Sequence, residues 1–361
     1  MIAHFVYNLF SYSGAAFQAQ ALCKYLGVKD NIIFNVGNST KLRLLSVGGV
    51  IVVDLPKNYF KRLIYILVFY FSYRVKITHL HGWILSGLIP AIMLRKKIVL
   101  KTTMFGDDDL PSLSQRSWIN RILIRYLSSI ISISDTIKNA NDSYICLNKL
   151  KCRSIIIPNG VQEESNLPNL TNKGPIFCTV GVVSERKGTL KAIEYFVKNY
   201  ICINNSKLYI VGPTPIDSNY FEADVGYYYK CLEYANKYPE KIIFTGKLKR
   251  EEVVDIYKMS IAHIFFSIKE GMPNVLLESM YYNCVPIVTE IDGVAYDIID
   301  NGKDGFIFEN NIFKDISYES VKIISSEYAP RCKVLDKFLL EKLSVKHKEN
   351  YKNLVMSNED M

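Results

Sequence analysis

The chain of 361 residues is 49% hydrophobic and 22% charged, with only 19 Gly and 12 Pro. That balance excludes collagenous and low-complexity architectures and leaves enough apolar side chains for about two domains of roughly 150 residues each. The formal net charge of +9 is uneven: residues 1–160 hold 20 Lys/Arg against seven Asp and no Glu, a net of +13, and the remainder nets −4.

No run of about 18 apolar residues occurs, so a spanning helix is not expected. The opening MIAHFVYNLF lacks the basic region and small-residue cleavage site of a secretory signal, so the expected compartment is the cytoplasm. Eight scattered cysteines include no CxxC pair and read as reduced thiols. Neither zinc-finger spacing nor an Arg-rich run is present, so nucleic acid is not an expected partner.

In the first half, Ile2–Tyr7, Asn31–Val36, Val50–Asp54, Ile77–His81, Lys97–Thr102, Ser129–Ile133 and Ser154–Ile157 read as strands. Between them, Ala15–Leu26, Tyr59–Arg74, Ser86–Leu94, Ser117–Tyr126 and Asp135–Leu147 read as helices. Two of these helices combine aromatic, aliphatic and basic residues. Tyr59–Lys76 flanks nine apolar or aromatic residues, Leu63–Phe71, with basic pairs, and Gln115–Tyr126 spaces Arg121 and Arg125 one turn apart. Such segments suit the headgroup region of an anionic membrane surface.

After a polar linker at Gln162–Lys173 the alternation restarts. Strands are expected at Ile176–Val182, Lys207–Val211, Ile242–Thr245, Ala262–Phe266, Val285–Val288 and Gly305–Phe308. Helices are expected at Thr189–Tyr200, Tyr227–Tyr238, Glu251–Met259, Asn274–Tyr282 and Ala295–Asp300, with an amphipathic tail over Pro330–Leu354. The class is α/β, with two doubly wound parallel sheets whose ligands sit beyond the carboxyl ends of the strands.

Three loops carry the candidate chemistry. In Phe265-Phe266-Ser267-Ile-Lys-Glu270-Gly271-Met272-Pro273-Asn274-Val275-Leu-Leu-Glu278, a strand ends at a turn that opens a helix. Asn274 is the expected N-cap, and amides of the first turn suit a phosphate. Glu270 and Glu278 flank that turn and can accept hydrogen bonds from sugar and ribose hydroxyls. In Gly181-Val182-Val183-Ser184-Glu185-Arg186-Lys187-Gly188, two adjacent cations stand at a helix entrance and can neutralise a diphosphate. The third loop, Tyr7–Ala16, offers small residues where a phosphate can approach a helix N-terminus.

Together and in this order these segments resemble the GT-B glycosyltransferases, in particular the retaining family 4 with its E-x7-E motif. The resemblance also rests on Gly14, His81-Gly82, Ser132-Ile-Ser134-Asp135, Pro158-Asn159-Gly160-Val161, Lys187-Gly188, Ile210-Val211-Gly212, Phe244-Thr245-Gly246, Pro286-Ile-Val, Gly293 and Asn301-Gly-Lys-Asp-Gly305. It implies two Rossmann-like domains facing a central crevice. Residues 1–161 would bind the acceptor, 162–330 would bind the nucleotide sugar, and a C-terminal crossover helix, 331–361, would return to the first domain. Glu270, Lys187 and Arg186 are then the expected catalytic residues. Gly14, Gly181, Arg186, Lys187, Leu248, Gly271, Met272, Pro273, Asn274, Val275 and Glu278 are expected around the donor.

The chain departs from the family where many members carry a His after the strand Val99-Leu-Lys-Thr-Thr103. Here Thr103 precedes Gly106-Asp107-Asp108-Asp109, so Thr103, Asp107 and Asp108, with His81, are the acceptor-side candidates. The Asp triplet contains a DxD spacing, but the surrounding register is that of GT-B, and no metal or other cofactor is expected. His79 and His81 share a strand face, and two histidines without a third ligand do not make a zinc site. The implied reaction moves a hexose or N-acetylhexosamine, with retention, from a nucleotide diphosphate sugar, UDP preferred, to a lipid-linked saccharide in bacterial O-antigen or capsular polysaccharide synthesis. Alternatives are a non-catalytic scaffold of the same fold in a polysaccharide-assembly complex, or a nucleotide-sugar epimerase or hydrolase.

Overall fold

A computed structural model describes residues 1–10, 14–164, 170, 173–216, 224–291 and 294–356, and every count below refers to these. The segment 11–13 in the first candidate loop, most of the expected linker, and Gly293 lie outside them. The chain divides into two compact units, residues 1–163 with 339–361 and residues 164–338.

The first unit contains β1 (Ile2–Tyr7), α1 (Gly14–Leu26), β2 (Asn31–Ser39), β3 (Arg43–Val47), β4 (Val50–Pro56), α2 (Tyr59–Ser72), β5 (Ile77–His81) and α3 (Leu85–Met93). It continues with β6 (Lys97–Lys101), α4 (Leu110–Arg116), α5 (Trp118–Ile124), β7 (Ser129–Ser132), α6 (Asp135–Leu147) and β8 (Arg153–Ile156). Its eight strands run in the order β3-β4-β2-β1-β5-β6-β7-β8, all parallel except the edge strand β3. Strands covered on both faces read as continuous apolar runs; Ala3, Phe5, Val6, Ile32, Ile33 and Phe34 are all fully buried.

The second unit contains β9 (Ile176–Val180), α7 (Thr189–Tyr200), β10 (Lys207–Val211), α8 (Val225–Ala235), β11 (Ile242–Gly246), α9 (Arg250–Met259) and β12 (Ala262–Phe265). It closes with α10 (Asn274–Tyr281), β13 (Val285–Thr289), α11 (Val294–Ile298), β14 (Phe306–Phe308), α12 (Tyr318–Ser326) and α13 (Ala329–Lys337). Six parallel strands lie in the order β11-β10-β9-β12-β13-β14. The order reverses beside β9 and β12, and in a doubly wound sheet the ligand crevice opens at such a reversal. Stacked Phe177 and Tyr200, with Phe196 and Ile264, fill its core.

The chain then returns to the first unit as α14 (Leu340–Met356). The return begins at residue 339, so 331–338, expected as part of the crossover, belong to the second unit. Leu343, Tyr351 and Leu354 pack on Ile77, Val99 and Ile131 of the first sheet. Val161 accepts a hydrogen bond from Leu340 N at 2.9 Å, which fixes where the returning segment begins.

Three elements differ from the sequence reading. Strand β3 pairs antiparallel with β4 across Gly48-Gly49, whose φ values of 59° and 83° form the tight turn; exposed Leu44 and Leu45 gave it no core signature. Helix α4 starts in the Asp triplet, and α12 lies in a segment with no expected element. The cap of α10 is Pro273 rather than Asn274, which is the first helical residue. Proline fixes φ for the entry and presents no capping side chain.

Candidate active site

The second unit gathers its charged candidates at the C-terminal ends of β9 and β12. After β9, the loop 181–188 is tied to the loop after β12 by a hydrogen bond from Ile268 N to Arg186 O at 2.8 Å. Gly188 makes that approach feasible. Its φ is +67°, and a Cβ there would lie 2.2 Å from the carbonyl oxygen of Phe266. Gly188 also caps α7, so Lys187 is held at a helix entrance.

Glu270 is the centre of the resulting cluster. Its Oε1 accepts from Lys187 Nζ at 2.5 Å, Arg186 Nη1 at 3.1 Å and Ser267 Oγ at 2.6 Å. Arg186 Nη1 donates as well to Lys269 O at 2.6 Å, which orients the guanidinium. Among the described residues Oε2 receives no hydrogen bond. One carboxylate oxygen is therefore clamped by two cations and a hydroxyl, and its twin keeps its accepting capacity.

A small pocket beside this cluster is lined by Thr179, Val180, Gly181, Val182, Lys187, Thr189, Ile210 and Phe265. Lys187 Nζ lies 5.3 Å from the centre of the Phe265 ring. Beneath it, His263 bonds Ser279 Oγ at 2.8 Å and is pushed down to about 3 by burial and by the Lys187 charge. It serves packing, as a neutral ring.

Gly271, Met272 and Pro273 are buried in the turn, with Asn274 and Val275 half-buried at the start of α10. Pro273, at the cap position, offers no capping side chain, and the helix dipole at this end favours an anion. Glu278, one turn on, accepts from Arg250 Nη1 at 3.2 Å. Burial raises its pKa above the usual 4.5, and Arg250 only partly opposes this. Leu248 is half-buried in the connection between β11 and α9. Arg250 and Ser267 were not anticipated; the signals were a cation opening helix α9 four residues after Gly246 and a lone hydroxyl just beyond an apolar strand.

The remaining candidates stand in the first unit. Gly14 opens α1. Thr103 follows β6, where its amide and hydroxyl both donate to Asp108, at 2.8 and 2.7 Å. Asp108 is buried and accepts from Met104 N as well, and burial pushes its carboxyl up to about 6 against those bonds. Asp109 caps α4 through Ser112 N at 3.0 Å, and exposed Asp107 pairs with Arg116. The three carboxylates thus do separate structural work in folding this loop, and Asp108 is turned inward rather than toward solvent.

His81 is also turned inward. The two-residue period of β5 places it with His79 on the sheet face that α14 covers, where His4 and His347 join them. Burial holds His4 down to about 4 and the other three well below the usual imidazole range, so all four are neutral at physiological pH.

Known proteins bear on this arrangement. Glycosyl transferases group 1 match residues 161–337, the segment that carries every donor-side candidate except Gly14. The capsular polysaccharide biosynthesis glycosyltransferase CapM of Staphylococcus aureus is 24% identical over 58% of this chain and 55% of its own. A UDP-Gal:alpha-D-GlcNAc-diphosphoundecaprenol alpha-1,3-galactosyltransferase of Escherichia coli is 26% identical over 60% of this chain and 59% of its own. The matches thus span little more than half the length of these relatives. The crystal structure of Anabaena Alr3699/HepE in complex with UDP-glucose superposes with a TM-score of 0.73 at 13% identity, covering 98% of this chain and 99% of that one. The chain has the GT-B glycosyltransferase fold, and its residues 161–337 are similar to the glycosyl transferases group 1.

Proposed function

We propose that this chain transfers a hexose or N-acetylhexosamine, with retention, from a UDP-linked donor to a lipid-linked saccharide in the assembly of a bacterial surface polysaccharide. The observation that carries the reading is the Glu270 carboxylate at the entrance to α10, held through one oxygen by two cations and a hydroxyl. Its free Oε2 takes donor-sugar hydroxyls, and the E-x7-E partner Glu278 takes the ribose. Arg186 and Lys187 neutralise the diphosphate as it departs, with the first-turn amides of α10 adding fixed positive dipoles. A cation pair and a helix terminus supply this charge without a metal at the donor. Retention follows from attack on the face that the leaving group vacates, with a departing phosphate oxygen taking the acceptor's proton. UDP is favoured by the UDP-Gal specificity in the name of the E. coli relative and by the UDP-glucose complex of the Anabaena protein; the lipid-linked acceptor is favoured by that relative's diphosphoundecaprenol substrate.

A surface in the first unit supports the lipid-linked acceptor. No described helix is long and apolar enough to cross a membrane. Helix α2 nevertheless exposes Phe60 (70%), Ile64, Val68 and Phe71 (71%), and α5 exposes Trp118 (69%), Ile119 and Ile122. Lys61, Arg121 and Arg125 stand among them. Aromatic and basic residues so mixed suit an interfacial contact with anionic lipid.

The test is product analysis with a panel of UDP-, GDP- and ADP-sugars and a diphosphate-lipid saccharide. Sugar appearing on the acceptor with unchanged anomeric configuration is the expected result. Equal sugar release without acceptor would mark a hydrolase, and no turnover of any donor would favour the scaffold.

A further inference from the structure

We propose that His4, His79 and His81 form a structural site for a divalent transition metal of zinc type, buried beneath α14 within the first unit. Topology makes the cluster. β1 and β5 are hydrogen-bonded neighbours, with His4 opposite His79 and His81 two residues further along the same face. One ligand nitrogen from each ring falls within 4.8 Å of the others. On a tetrahedral zinc with Zn–N bonds of about 2.0–2.1 Å, ligand nitrogens lie about 3.3 Å apart. His4 Nδ1 and His81 Nε2 are already 3.1 Å apart, joined by a hydrogen bond that metal ligation would replace with loss of the shared proton.

The hydrogen bonds around the rings define which nitrogens are presented. Asn31 donates its amide to Gly27 O at 2.6 Å, so its Oδ1 faces His4 and must accept from Nε2–H, at 2.9 Å. That leaves the lone pair of His4 on Nδ1, aimed at His81. Tyr351, arriving on α14, holds His79 Nδ1 at 2.6 Å. His79 Nε2 is left buried without any partner, as is His347 Nδ1 beside it. Metal-ligating histidines characteristically have their second nitrogen held by a carbonyl or another polar group, and His4 and His79 both satisfy this. A buried ring nitrogen with no partner is costly, and a cation drawing in the three rings removes that cost.

The donor set also selects the ion. Three neutral imidazoles and no carboxylate favour zinc, cobalt, nickel or copper over magnesium or calcium. Lys101, paired in register with His81, opposes any cation held only by charge. Because Tyr351 supports His79, the metal would fasten α14 to the sheet. This inference goes beyond the transfer reading and does not rest on it.

The experiment uses the full chain without a polyhistidine tag, stripped with chelator, and with exposed Cys146, Cys202 and Cys332 alkylated. Titration with Co2+ is followed by visible absorption, and Zn2+ is added by thermal denaturation and elemental analysis. One equivalent of Co2+ should give a four-coordinate spectrum that Zn2+ abolishes, and Zn2+ should raise Tm to a plateau at one equivalent. Tyr351→Phe, which keeps the packing ring, should weaken Zn2+ binding about 10- to 100-fold. His81→Gln should remove the Co2+ spectrum; should that variant fail to fold, the wild-type titration decides. A wild-type chain with no four-coordinate spectrum and no Zn2+-dependent Tm overturns the site, and unchanged affinity in Tyr351→Phe overturns the coupling to α14.

Discussion

Gly188→Ala tests whether the cationic loop and the Glu270 loop truly meet backbone to backbone. The substitution forces an L-residue into the left-handed region at φ +67°, which costs about 1–2 kcal/mol. It also drives a methyl to 2.2 Å from Phe266 O, a backbone atom that cannot swing aside. Overpacking of this kind adds about 1–3 kcal/mol. The sum of about 2–5 kcal/mol corresponds to a Tm loss of roughly 4–20 °C for a unit of this size. Gly302→Ala is the internal control. Its φ is +79°, yet nothing lies within 4 Å of the added carbon, so only the dihedral contribution remains. Calorimetry of the two variants beside the parent chain separates close approach from backbone preference. If Gly188→Ala is no more destabilised than Gly302→Ala, the two loops do not touch as described, and the Arg186–Lys187–Glu270 cluster loses its foundation.

Further outcomes follow from the same cluster and surfaces. Glu270→Gln should retain nucleotide diphosphate binding and lose about 1.5–3 kcal/mol of charge-assisted hydrogen bonding to the sugar, a fall of about 10- to 150-fold in kcat. Lys187→Ala should weaken UDP binding far more than uridine binding in calorimetric titration; equal losses would contradict a diphosphate clamp. Glu278 has a folded pKa raised above 4.5, so its contribution to stability is full below that value and is lost as pH rises through the folded pKa. Glu278→Gln should accordingly equal or exceed the parent Tm at pH 7, with any gain fading in acid. Replacing Phe60 and Trp118 together with Ser should reduce co-sedimentation with anionic vesicles while leaving Tm within a few degrees, since both side chains are exposed.

Much of the architecture was legible because parallel strands buried on both faces announce themselves as apolar runs. Ile77–His81 and Lys207–Val211 have the expected limits to the residue. Strand β3 was obscured by its exposed edge, although Gly48-Gly49 between two apolar runs is a hairpin signal. Asp109 shows the opposite error. An acidic triplet drew attention as a ligand motif, when Asp109 followed by Pro111 is a helix-start signature. At the candidate site, Glu270, Glu278, Arg186 and Lys187 were found from local spacing. What spacing could not reveal was that Glu270 engages both cations through one oxygen, since 83 residues separate it from Lys187. The histidines illustrate the same limit. His79 and His81 are visible as a pair, but His4 and His347 join them only through sheet order and the return of α14.

That return has a consequence for synthesis. Domains of a nascent chain ordinarily complete in order from the N-terminus. Here the unit that begins first finishes last, because its sheet waits for Leu343, Tyr351 and Leu354 to cover Ile77, Val99 and Ile131. Throughout translation of residues 164–338 that apolar face, with its uncharged histidines, stays open to solvent or to chaperones. A ribosome stalled before residue 340 would therefore hold a first unit whose sheet has formed strands but has only α1, and not α14, on that face.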